Sequence, residues 1–202
     1  MPFTVKLLSL LASGALLAAP ALAQSQPPLR IRGEITAVDT SSLTVRHQSG
    51  ETVVLAIKPE ATVGAVKNVA LADIKPGSYI GTATKTQPDG ALVAVEVLVF
   101  PETARGSGEG HYAWDLMPGA MMTNANVETV MSGVSGRNMK LSYKGGSKNV
   151  LVPENVPVVT PTSATRADLQ VGKKVFVVAE GEAPNFRAAR IVVEKDGVAP
   201  PM

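Results

Sequence analysis

The chain has 202 residues, no cysteine, and 19 basic against 17 acidic side chains, for a formal net charge of +2. Without cysteine there can be no disulfide, thiol nucleophile, thiolate zinc site, iron–sulfur cluster or lipid-modified N-terminal cysteine, so any folded part must rest on its apolar cores. The charges are mixed along the chain with no basic block, which removes the electrostatic footprint of a nucleic-acid binder.

Met1 to Ala23 carries one charged residue, Lys6, ahead of an apolar or small run from Leu7 to Ala19. Pro20 breaks the run, and Ala21-Leu22-Ala23 offers small residues at both positions a signal peptidase reads. This pattern predicts a cleavable signal peptide over residues 1–23. The run is too short for a spanning helix, which needs about 20 apolar residues. No later stretch is long and apolar enough to span either. The expectation is a periplasmic or secreted protein, soluble after cleavage near Ala23, with no membrane insertion thereafter. About 180 residues remain, enough for one or two small domains.

An internal repeat organises that remainder. Leu43-Thr44-Val45 matches Met139-Lys140-Leu141, Gly50 matches Gly146, and Pro59-Glu60 matches Pro153-Glu154. Asp73-Ile74 matches Asp168-Leu169, and Ala94-Val95-Glu96-Val97 matches Ala188-Ala189-Arg190-Ile191. The offset stays between 94 and 96 residues, as loop-length changes within a duplicated unit would leave it.

Each unit reads as β. Leu43, Val45 and His47 alternate with polar neighbours, as do Met139, Leu141 and Tyr143, the period of a strand with one buried face. Thr52 to Ile57 follows across Ser49-Gly50 as a hairpin. Ser78 to Lys85 and Ala91 to Phe100 are joined across Pro88-Asp89-Gly90, a strong turn triplet. Lys174 to Ala179 and Phe186 to Glu194 are their counterparts. Leu71 to Ile74, before Pro76-Gly77, and Arg166 to Gln170, before Gly172, read as helical turns. Three strands, a helical turn and two strands is the order of an OB-like barrel. The predicted fold is therefore all-β: a first OB-like barrel over 29–101, an ordered interdomain segment over 102–126, and a second OB-like barrel over 127–197, in tandem.

The joining segment breaks the pattern. It holds the sole tryptophan, Trp114, together with His111, Met117, Met121 and Met122, and it spaces Tyr112, Trp114 and Leu116 at alternate positions. A plain linker is small and polar, so this one is expected to pack across the domains. Arg105-Gly-Ser-Gly-Glu-Gly-His111, Trp114-Asp115-Leu116 and Met122-Thr-Asn-Ala125 resemble the same stretch in a family of exported bacterial proteins of about this length. The β units are similar to a domain of unknown function described as OB-like. The likeness covers nearly the whole mature chain, and it implies the fold but no activity. Some members bear metal-transporter names, but a permease role does not fit a chain without spans after its signal.

The candidate ligand-binding residues are Arg105, Glu109, His111, Tyr112, Trp114 and Asp115. A metal alternative uses His111 with Met117, Met121 and Met122, because thioethers and an imidazole suit copper, Cu(I) in particular; methionine also fills interdomain gaps well. His47 is read as a barrel-mouth packing residue, because its repeat mate is Tyr143. Gly106, Gly108 and Gly110 lack the Gly-Lys-Ser/Thr and following helix of a phosphate loop. No Gly-x-Ser-x-Gly elbow occurs and only two histidines exist, so no catalytic constellation is expected. The functional expectation is an exported, non-enzymatic binding or structural protein of the cell envelope. Its partner would be a protein, peptide or glycan; no cofactor is expected beyond the copper alternative.

Overall fold

A computed structural model describes residues 28–133 and 136–201; the expected signal peptide lies outside them. The described residues form strands β1 (Leu29–Val38), β2 (Ser42–His47), β3 (Thr52–Asn68), β4 (Tyr79–Thr86), β5 (Leu92–Val99) and β6 (Gly110–Ala113). They continue with β7 (Ala120–Gly133), β8 (Gly136–Tyr143), β9 (Gly146–Val152), β10 (Val158–Ser163), β11 (Lys174–Glu180) and β12 (Phe186–Val193). Short 3-10 turns at Leu71–Asp73 and Arg166–Asp168 stand where helical turns were expected, and a third spans Glu102–Ala104. No helix of the described residues is long and apolar enough to cross a membrane.

The period-two pattern works as read. On β2, Leu43 and Val45 are fully buried while Arg46 is exposed; on β8, Met139 and Leu141 are buried while Lys140 is exposed. The β4–β5 hairpin turns at Gly90, whose φ of +84° is open to glycine at no steric cost.

Five strands close into a mixed barrel in the order β1-β2-β3-β12-β11 and back to β1. Every pairing in the ring is antiparallel except β3 with β12. Its core holds Ile31, Ile35, Leu43, Val45 and Leu55 from the N-terminal part of the chain with Val177, Ile191 and Val193 from the C-terminal part. This corrects the expectation of a barrel contained in 29–101. β4 and β5 leave β3 and pair instead with the second part of the chain, β4 lying antiparallel to β7. A hydrophobic pattern says which face of a strand is buried, but equivalent strands from two similar units carry the same pattern and can complete either partner.

The remaining strands run β5-β4-β7-β8-β9 and bury a separate core of Ile80, Val97, Val127, Leu141, Val150 and Val152. β5 and β9 meet in parallel over two residue pairs, Leu92 with Val150 and Val93 with Leu151. β10 lies antiparallel to β3 and parallel to β5, so all twelve strands belong to one hydrogen-bonded network around two cores. β6 pairs only with β7. Three boundaries differ from the sequence expectation. β3 runs on to Asn68, β10 exists despite Pro161, and β7 begins at Ala120 inside the joining segment. Pro59 is tolerated in β3 because the β12 pairing is interrupted between Ile57 and Thr62, so no ladder donor is required there.

Candidate functional site

Along β5, Ala94 and Val97 enter the second core, and Glu96 and Leu98 turn the other way. Along β12, Ala188, Ile191 and Val193 enter the barrel core, and Arg190 and Val192 turn the other way. On a single sheet packed on one side those outward faces would meet water. Here they border a common cavity of about 540 Å³ between the two cores. Its apolar wall includes Val63, Leu98, Phe100, Met122, Phe176 and Val192, and its polar groups include Glu96, Arg190, Asn124 and Ser107. That is the size and composition of a small-molecule pocket.

The electrostatics are uneven. Glu96 is 6% exposed, and its carboxyl makes no ion pair or hydrogen bond among the described residues. Burial pushes it up to about 7, against the pull of the Arg32 charge. Arg190 is exposed, with its guanidinium at the rim of the cavity, and desolvation by the surrounding wall holds its pKa below the ordinary value. It too has no ion-pair partner among the described residues.

Arg32, 6% exposed, is the third charge near the cavity. It sits on β1 in register with Phe176, its guanidinium 5.2 Å from that ring and 5.7 Å from Trp114. One nitrogen donates to Asp115 Oδ1 at 2.6 Å, while its Nε is buried without a partner. Arg30 lies 4.2 Å over Trp114 and reaches Asp115 Oδ2 at 3.4 Å. The two arginines, the indole and the carboxylate form a clamp that fixes the joining segment to β1.

Asn124 of β7 faces Gly81 of β4. Its Nδ2 donates to the Ser107 carbonyl and to the Tyr112 hydroxyl, both at 3.2 Å, while its Oδ1 is buried without a partner. A Cβ at Gly81 would lie 2.6 Å from that oxygen, so the bare glycine is what admits the amide. The Trp114 Nε1 is also buried and unpartnered. Unsatisfied buried groups of this kind are uncommon in folded proteins, and each calls for a cause.

Of the residues singled out in the sequence, Tyr112 and Trp114 line the cavity, in edge contact at 6.2 Å, and Asp115 belongs to the clamp. Arg105 does not reach the cavity. It bonds Glu102 at 2.5 Å, the Gly77 carbonyl at 2.8 Å and Asn126 Oδ1, and so ties the Glu102–Ala104 turn to the strand ends. Glu109 accepts the Lys144 backbone N–H at 2.9 Å. His111 Nδ1 meets Thr123 Oγ1 at 2.8 Å, its ring stacks 6.4 Å from Tyr143, and burial holds its pKa below the usual value.

The methionines do not converge on His111. Met121 and Met122 are consecutive on β7, so they point to opposite faces. Met122 shares the cavity face with Tyr112 and Asn124, and Met121 shares the face of Thr123 and His111. Met117 lies in the turn before β7. Among the described residues no group of three or more histidines and carboxylates could hold a metal ion. His47 is half-buried at the end of β2, with Nδ1 2.9 Å from Ser49 Oγ.

Sequence reasoning missed Glu96, Arg190, Asn124 and Arg32. A signal did exist for the first two. Glu96 is the one charged residue in the run Leu92 to Val99, and the repeat aligns it with Arg190. Comparison with known proteins finds no matching family model, curated protein or solved structure.

Proposed function

We propose that the chain is an exported, non-enzymatic binding protein of the bacterial cell envelope that holds a small, largely apolar molecule between two OB-like barrels. The cavity carries this reading. It has apolar and aromatic walls, the buried Glu96 carboxyl and the exposed Arg190 guanidinium border it, neither with a side-chain partner among the described residues, and Asn124 Oδ1 beside them is buried without a partner. A buried polar group without a partner costs about 1–3 kcal/mol, and a ligand that takes a hydrogen bond from the protonated Glu96 carboxyl recovers part of that cost.

The second barrel would be the ring β5-β4-β7-β8-β9, closed through the short β5–β9 pairing. Matching irregularities support a duplicated unit whose strands are exchanged. β1 shifts register between Ile35 and Ala37 and β7 between Val127 and Thr129; β4 shifts at Ala83/Thr84 and β11 at Val178/Ala179. In this reading each barrel takes three strands from one copy and two from the other.

A binding role rather than catalysis is supported by the surroundings of His111. The hydroxyl it contacts belongs to Thr123, which is 0% exposed within β7 and out of reach of a substrate. Export rests on Lys6, the apolar run and Ala21-Leu22-Ala23; N-terminal sequencing of protein from the envelope fraction should begin at Gln24.

Binding is tested with the neutral fluorophore N-phenyl-1-naphthylamine. Gly64 lines the cavity, and a Cβ there would meet nothing closer than 3.7 Å, so Gly64→Leu fills the space without breaking a strand contact. The wild-type protein is expected to bind the dye saturably with a blue shift, and Gly64→Leu to lose at least about tenfold in affinity, the equivalent of 1.4 kcal/mol. Equal binding by both proteins would remove the cavity as the site.

A further inference from the structure

We infer that the ligand is an apolar acid, with its carboxylate at Arg190 and its hydrocarbon body against Val63, Leu98, Phe100, Met122 and Val192. This rests on the cavity being a binding site and specifies what enters it.

The polar groups of the cavity favour an acceptor. Arg190 brings five N–H donors and a fixed charge, with no ion pair or hydrogen bond to any described residue. Trp114 Nε1 and Asn124 Oδ1, one donor and one acceptor, are enclosed behind the same wall and favour neither kind of head group, so the choice falls to Arg190. At pH 6.5 Glu96 cancels only part of the positive charge, because burial raises its carboxyl to about 7 and leaves much of it protonated and able to donate. Arg32, buried behind the cavity wall and paired with Asp115, lies close enough to oppose that shift. An ammonium head would meet the Arg190 guanidinium and an acid whose burial disfavours ionisation. A neutral head would leave the Arg190 guanidinium at the cavity rim without a counter-ion among the described residues. A carboxylate offers the planar, two-oxygen surface that a guanidinium fork fits.

The test is calorimetric titration of the purified protein with dodecanoate, dodecan-1-ol and dodecylamine, each below its aggregation concentration, at pH 6.5. Dodecanoate should bind at least about tenfold more tightly than the alcohol, as a charge-assisted pair of some 1.5–3 kcal/mol implies. In Arg190→Met this advantage should vanish while dodecanol affinity stays within about threefold. Arg190→Lys, which keeps the charge but not the fork, should fall between. Dodecanoate no tighter than dodecanol, or equal losses of both in Arg190→Met, would overturn the head-group assignment and leave the apolar cavity reading standing. Tightest binding of dodecylamine would overturn it in favour of Glu96 as the counter-ion. No binding of any of the three would defeat both readings.

Discussion

Glu96 and Arg190 hold the same station on two strand pairs. Glu96 stands in register with Ala83 beside an extra residue, Val95; Arg190 stands in register with Val178 beside an extra residue, Ala189. The bulge in each strand turns the charged side chain out of its own core, and both outward faces open on the same cavity. Were the two positions chemically identical, the cavity would hold two like charges. An acid in one and a base in the other gives it one group that can give up its charge and one that cannot.

That asymmetry sets a pH dependence. Glu96 has a folded-state pKa of about 7, above its ordinary value of 4.5. Its buried neutral form therefore favours folding below pH 4.5, and this contribution is lost as pH rises through 7. Glu96→Gln removes the ionisation, so the stability of wild type relative to Glu96→Gln should fall between pH 4.5 and 7 by about 3 kcal/mol in total. The charged group acting on Glu96 from a neighbouring element is Arg32 of β1, while Arg190 of β12 borders the same cavity. Urea melts across this range measure the difference. Parallel profiles for the two proteins would mean that Glu96 ionises as freely in the fold as out of it.

The clamp predicts a loss of stability. Asp115→Asn leaves Arg32 buried between Trp114 and Phe176 without a counter-ion. Because Asp115 is half exposed, solvent screens part of the effect, and a destabilisation of about 1–2 kcal/mol is expected with altered Trp114 fluorescence. An unchanged urea midpoint and an unchanged emission spectrum would show that the indole does not need the pair.

Two glycines should respond unequally to alanine. At Gly33 a Cβ would lie 2.1 Å from the Arg46 carbonyl oxygen, which is backbone and can yield only by parting β1 from β2. At Gly81 the nearest atom is the Asn124 side-chain oxygen, which can rotate aside. Gly33→Ala should cost about 3 kcal/mol or more and Gly81→Ala about 1–2, the latter with a weakened Asn124–Tyr112 contact. The reverse order, measured by chemical denaturation, would contradict the pairing of β1 with β2.

Closure of the barrel by β11 and β12 makes the natural cut in the chain differ from the one expected from the sequence. The second core draws only on residues between Val69 and Val158. A fragment spanning 69–158 should therefore unfold cooperatively by itself, while 29–101 should not, because β11 and β12 complete the barrel around Ile31 and Leu43. A dispersed amide spectrum from 29–101 with none from 69–158 would restore the tandem arrangement.

Much of the secondary structure was legible because it depends on local pattern. Leu43 and Val45 alternate, Gly90 turns, and Thr165 and Asp168 cap a short helical turn. Partner choice was not legible, because β4 could pair with β1 or with β7 and the burial pattern of β4 is the same either way. The aromatic spacing of Tyr112 and Trp114 did point to the cavity wall. The His111 and methionine set did not hold together, because period two sends Met121 and Met122 apart. Glu96 escaped notice for a related reason. It occupies the face of β5 that normally meets solvent, and only the five-stranded barrel lying opposite makes that position interior.

Isotope-filtered NMR of the protein with methyl-labelled dodecanoate addresses the cavity most directly. Intermolecular cross-peaks are expected to Val63, Leu98 and Val192, which line the space between the two cores. Cross-peaks confined to the exposed apolar side chains Val54, Met131 and Val171 would place the acid on the outer surface instead.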